Sequence, residues 1–249
     1  MTLYHGEPNG PSLTVLATLF AKEVQAELVR IDLESGQRHT LPCAQQPLVA
    51  MSVEGEGPVL VVEGEAMTDS VFIACFLDDV GRGAALRPAE PYGRWEMMTW
   101  CRQLTERTAP AAAYLGCRAQ PPKADATLLE RIGSVDLRAR WGQVAAGKFS
   151  EDQLTDSRTK IHQAAAKIEA RLNDRQWLMD TFSIADIESY AWLAGMVRLV
   201  PAAFAGTPRT TAWLERVRTS PAVARALALS RSADPAASWS VGPEINRWG

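Results

Sequence analysis

No stretch of this sequence is apolar and uncharged for long enough to span a bilayer, so neither a transmembrane helix nor a membrane partner is expected. The N-terminal Met1-Thr2-Leu3-Tyr4-His5-Gly6 has neither the basic flank nor the apolar run of a signal peptide. A basic surplus is missing too. Lys and Arg number 26 against 29 acidic residues, for a formal net charge of −3, which argues against nucleic acid as a partner. Cysteine and histidine are scarce. Cys43, Cys75, Cys101 and Cys117 lie far apart with no C-x-x-C spacing, and His5, His39 and His162 form no ligand pattern, so no metal site is expected. Four free thiols, packed as small hydrophobes in a reducing cytoplasm, are the expectation.

What is present is enough for a real core. The 249 residues are 47% hydrophobic and 22% charged, comfortable for two domains. In the first part strand and helix signals alternate. Leu3-Tyr4-His5 reads as a short strand, 12–26 has near-helical period, and 26–33 alternates with period two. Val59-Leu60-Val61-Val62 reads as another strand, with a turn at 63–65 and a return strand from Ala66. A helix then opens at Asp69-Ser70. This order, β-α-β then β-β-α, is that of a thioredoxin-like domain, taken as residues 1–81. A proline-punctuated linker at 82–90 leads into an all-helical domain, 91–231, with helical period over 92–115, 124–146, 151–173, 184–199 and 210–229. The tail, 232–249, lacks period, and its Trp239 and Trp248 point to docking.

Three local features carry mechanisms. Pro58, after Gly57 and before a buried strand, marks an edge or turn. Thr68-Asp69-Ser70 begins a helix, where a side-chain oxygen caps free N–H groups. The same N–H groups and dipole also bind a carboxylate. Ser183 and Asp186 have capping-box spacing, with Phe182 and Ile187 placed as a hydrophobic staple, a folding element rather than a site.

Together these features resemble the glutathione transferase superfamily. Gly57-Pro58-Val59-Leu60 stands for its V-P-A-L, Asp69-Ser70 with Ile73 and Phe76-Leu77 for E-S-x-x-I-x-x-Y-L, and Ser183-Ile184-Ala185-Asp186-Ile187 for S-x-A-D-I. A closer likeness is to bacterial glutathione-dependent β-etherases, with nu-class transferases nearby. Residues 11–19, Pro-Ser-Leu-Thr-Val-Leu-Ala-Thr-Leu, echo the β-etherase N-S-L-K-P-L-A-T-L.

The resemblance implies glutathione as co-substrate. Ser12 would contact its sulfur, assisted by Asn9. A cis bond before Pro58 would let Gly57 pair with the cysteinyl backbone. Asp69 and Ser70 would hold the γ-glutamyl group, and Arg38 and His39 the glycyl carboxylate. Trp100, Tyr114 and the tail tryptophans are candidates for lining the pocket of a small aromatic ether, although core packing is the commoner role for each taken singly. The implied chemistry is attack of glutathione thiolate on the carbon next to a ketone in lignin-derived ethers, by a dimer of identical or related subunits. Alternatives are a weakly catalytic or non-catalytic subunit of a heterodimer, and a nu-class-like disulfide reductase, echoed by Glu7-Pro8-Asn9-Gly10. Departures from the pattern gather on the glutathione side. Pro11 replaces an asparagine, Gly57 replaces valine, N-P-x-G-x-V-P has become the stretch from Ser52 to Pro58, and Glu7 would oppose a thiolate if it faced the sulfur.

Overall fold

A computed structural model of the chain describes residues 1–50, 52, 54–121 and 126–240. Val53 of the altered loop, the first two residues of the helix expected over 124–146, and the tail beyond 240 with Trp248 lie outside the described residues.

A four-stranded sheet in the order β2-β1-β3-β4 forms the first layer, from β1 (Thr2–His5), β2 (Glu27–Arg30), β3 (Val59–Val62) and β4 (Glu65–Met67). β1 runs parallel to β2 and antiparallel to β3, with Leu3 opposite Leu28 and Leu60. β4 returns antiparallel along β3. The period-two rule sorts the side chains. Leu3 and Leu60 enter the main core with Leu16, Ile73 and Leu77 of α1 (Gly10–Ala21) and α3 (Ser70–Val80). Tyr4, Val59 and Val61 face the other way, onto Cys43 and Val49 beside the short α2 (Pro47–Ala50).

The rest is helical: α4 (Pro91–Gln103), α5 (Ala109–Ala119), α6 (Ala126–Leu129), α7 (Val135–Ala145), α8 (Glu151–Arg171), α9 (Ile184–Leu193), α10 (Met196–Leu199), α11 (Pro208–Arg218) and α12 (Pro221–Leu227). The helix expected over 92–115 is continuous but passes through a π-helical turn at Leu104–Thr108, just before Pro110. Proline gives no N–H to the carbonyl four residues back and its ring crowds it, and the wider π-turn accommodates both, so the axis shifts rather than breaks. At the start of α9, Asp186 accepts from the N–H and Oγ of Ser183 (3.0 and 2.9 Å), the Leu178 N–H (2.9 Å) and Trp213 Nε1 (2.9 Å). The capping box is therefore also the knot tying α9 to α11. No helix among the described residues is long and apolar enough to cross a membrane.

Residues 230–240 fold back onto the body. Trp239 and Ser238 press on Gly116 and Gly195, where an added Cβ would come within 2.5 Å of Trp239 Cδ1 and of the Ser238 carbonyl oxygen respectively. Ser240 sits against Gly10 at the start of α1.

Candidate active site

The turn from β1 into α1 places Ser12 in the first turn of the helix, buried, with Asn9 as N-cap residue and Gly10 at positive φ (45°). Pro11 suits that turn, since an N–H there would have no helical partner. Ser12 Oγ accepts from the Gly6 N–H at 3.0 Å. Its own proton has no acceptor among the described residues, so the hydroxyl is available as a donor. It faces a cleft of about 580 Å3 that also has Arg30, Arg198, Arg231, Ser238 and Trp239 on its walls. Glu7 does not oppose an anion there. It ion-pairs with Arg30 and accepts from the N–H groups of Arg231 (2.7 Å) and Ser232 (2.9 Å) and from Ser230 Oγ (2.8 Å). Asn9 Nδ2 donates one of its two N–H groups to Ser238 Oγ at 3.2 Å, an interaction that ties the tail to α1.

The second group of expected residues lies at the N-terminus of α3, and here the structure departs from expectation. Ser70 is wholly buried, and its N–H (2.7 Å) and Oγ both donate to Glu54 Oε1. Ser70 Oγ also lies 3.2 Å from Glu188 Oε2 of α9, which accepts from Thr14 Oγ1 at 2.6 Å, while Trp192 Nε1 donates to its other oxygen at 2.8 Å. One hydroxyl proton cannot serve two carboxylates at once, so the pair favours holding a proton of its own. Burial first, then the charges of Asp69 and Glu188, push Glu54 well above the usual carboxylate range, and burial pushes Glu188 the same way. Asp69 stands at φ 66°, a left-handed conformation that Asp tolerates better than most residues, and accepts from Ser52 Oγ at 2.8 Å.

The peptide bond before Pro58 is trans, not cis as expected. The Gly57 carbonyl turns inward to Arg38 Nε at 3.0 Å. Arg38 is therefore not on a solvated loop. It is 2% exposed, and a second donor goes to the Val49 carbonyl at 3.4 Å. His39 Nε2 pairs with buried Glu56 at 2.7 Å, and Trp141 Nε1 of α7 donates to the same oxygen at 2.8 Å. Both residues expected at the glycyl carboxylate thus have internal partners.

Trp100 and Tyr114 do not line the Ser12 cleft. Trp100 donates to Ser189 Oγ at 3.0 Å and lies under Lys167, whose ammonium is 4.2 Å from the ring centroid. The Tyr114 hydroxyl accepts from the Ser150 N–H at 2.9 Å, and its ring packs edge-on to Phe149. The cleft's aromatic wall is Trp239, one of the two tail tryptophans. Sequence reading missed Glu54, Glu56 and Glu188 entirely. The only signal was two glutamates inside the altered loop, 52–58.

Residues 132–221 match the family model described as glutathione S-transferase, C-terminal domain. The fold is that of the glutathione S-transferases. Among curated proteins, Protein LigF of Sphingobium sp. (strain NBRC 103272 / SYK-6) is 28% identical over 94% of this chain and 95% of its own length. The crystal structure of beta-etherase LigF from Sphingobium sp. strain SYK-6 superposes with a TM-score of 0.79 and 26% identity, covering 92% of this chain and 99% of that one. Glutathione transferase F7 from Populus trichocarpa superposes with a TM-score of 0.67 over 90% and 96% of the two chains. At 20% identity it speaks for the fold alone. The family resemblance read from the motifs is borne out, as is the thioredoxin-like plus all-helical fold class.

Proposed function

We propose that this chain is a cytoplasmic, dimeric glutathione-dependent transferase that cleaves lignin-derived aryl ethers carrying a ketone next to the scissile bond. The observation that carries the reading is the Ser12 hydroxyl. It lies at the positive end of α1 beside an open cleft, and Gly6 fills its acceptor side so that its proton can be given to an anion. Similarity along nearly the whole chain to a protein described as a beta-etherase supports this chemistry over others that the fold can host. A free thiol has a pKa of about 8.5, so at neutral pH most of it is protonated. A hydroxyl donor and a helix dipole aimed at one point would favour the thiolate there. In the reaction a C–S bond forms at the carbon beside the ketone as the C–O bond breaks, and the phenolate leaves to take a proton from water.

Assay of purified protein with glutathione and an α-aryloxy ketone tests the reading. Ser12→Ala should cut turnover by about 10²-fold, the usual cost of one donor to a developing or bound anion, with the melting temperature held. Undiminished turnover in the variant would remove Ser12 from the mechanism. A second reading, a weakly catalytic subunit paired with an active relative, is favoured by the internal occupancy of Ser70 and by Pro11. Recovery of a homodimer with high turnover would dismiss it.

A further inference from the structure

We propose that Glu54 is an internal competitor for glutathione, its carboxylate filling the Ser70 donor pair that a γ-glutamyl carboxylate would use. The inference rests on the glutathione reading above and adds a residue that sets how tightly the co-substrate is held.

Three observations carry it. The Ser70 N–H and hydroxyl, at the N-terminus of the eleven-residue helix α3, point at Glu54 Oε1 and nothing else within the loop. They form a carboxylate-binding pair with a carboxylate already in it. Second, Glu54 is 2% exposed, yet its Oε2 is buried without any hydrogen-bond partner. A buried carboxylate oxygen left unpaired costs free energy, as does the proximity of Asp69 and Glu188. The plug is held on poor terms, and a ligand carboxylate with satisfied oxygens would let Glu54 return to water. Third, Glu54 fits because residue 57 is glycine. A Cβ there would lie 2.4 Å from Glu54 Oε2 and 3.0 Å from Glu54 Cβ. The valine of the related pattern would push Glu54 out of this inward pose, so Glu54, at a position the pattern leaves open, and the departure at 57 are one device.

Displacing Glu54 is a conformational tax on binding. If the open form is about a tenth of the population, the apparent affinity for glutathione is about tenfold weaker than the intrinsic one.

The test is calorimetric titration of reduced glutathione into the full chain and two variants. Glu54→Ala removes the plug, and Gly57→Ala leaves the glutamate but takes its space. Thermal melts and near-ultraviolet circular dichroism verify that each variant is folded. Both variants should bind glutathione about tenfold more tightly than the wild type. Equal affinity in all three would overturn the inference while leaving the glutathione reading intact. Weaker binding in a folded Glu54→Ala chain would also overturn it, since Glu54 would then be a ligand to glutathione. No binding by any of three well-folded proteins would take down the glutathione reading itself, and the inference with it.

Discussion

A Cβ added to Gly195 would lie 2.5 Å from the Ser238 carbonyl oxygen and 2.9 Å from Trp239 Cβ. Neither neighbour is the loose end of a flexible side chain, so the segment 238–240 has to move as a body. Gly195→Ala should therefore undock the tail, with a stability cost of about 1–3 kcal/mol as for other overpacked sites. Trypsin should cut faster after Arg231, which lines the same cleft. Gly206→Ala, with nothing within 4 Å of its Cβ, is the control that should change neither rate nor melting temperature. At this scale the sequence was legible where a residue's role is local. Ser70 was found because a helix N-terminus announces itself through capping residues, and Ser12 through the likeness of residues 11–19 to the β-etherase pattern. The inward placement of Glu54, Arg38 and His39 was not legible, because it depends on partners 11 to 19 residues away across a loop. A charged side chain in a glycine-rich loop looks solvated until those partners are known.

At the scale of elements, Asp78 joins α3 to the end of α1 and to the linker at Leu86 and Arg87. Its Oδ1 accepts from the Leu86 N–H at 3.0 Å and meets Lys22 Nζ at 3.0 Å, while Oδ2 takes Arg87 Nε at 2.8 Å. Burial raises the proton affinity of this carboxyl, but the Leu86 N–H, Arg87 and Lys22 outweigh it and hold Asp78 below the ordinary range. A depressed acid binds fewer protons folded than unfolded. Its stabilisation is thus full above the ordinary carboxylate range and is lost as pH falls through it to the folded value. Asp78→Asn leaves Lys22 buried beside a neutral group, which should cost roughly 3 kcal/mol near neutral pH. The gap to the wild type should then narrow on acidification, measured by urea midpoints across the pH range. A gap independent of pH would mean that the charge of Asp78 does not hold the joint. Strand β3 and the start of α3 were readable from period and caps. The breaks within the helical run, the π-turn at 104–108 and the interruption after Leu193 that seats Ser238 and Trp239, were not, because they answer to packing from distant segments.

At the scale of the whole molecule, the sheet half and the helical half share their polar core. Glu188 of α9 accepts from Thr14 of α1, from Trp192 of its own helix, and lies within reach of Ser70 of α3. Glu56 of the loop before β3 accepts from Trp141 of α7. Losing one of these partners strands a buried acid, so neither half opens without disturbing the other. Unfolding should accordingly be a single cooperative transition. All eight tryptophans lie beyond residue 94, so fluorescence reports the helical half alone, whereas far-ultraviolet dichroism reports both. The two probes should give superimposable urea curves. Trp141→Phe takes one donor from Glu56 and should lower the common midpoint by the equivalent of about 1–3 kcal/mol, the cost of an unmet buried acceptor. It should not separate the curves, because the Glu188 cluster still joins the halves. Two resolved transitions in the wild-type chain would show the halves to be independent and the shared acids to be no more than neighbours. Resolved transitions in the variant alone would place the coupling in Glu56 and Trp141 rather than in Glu188.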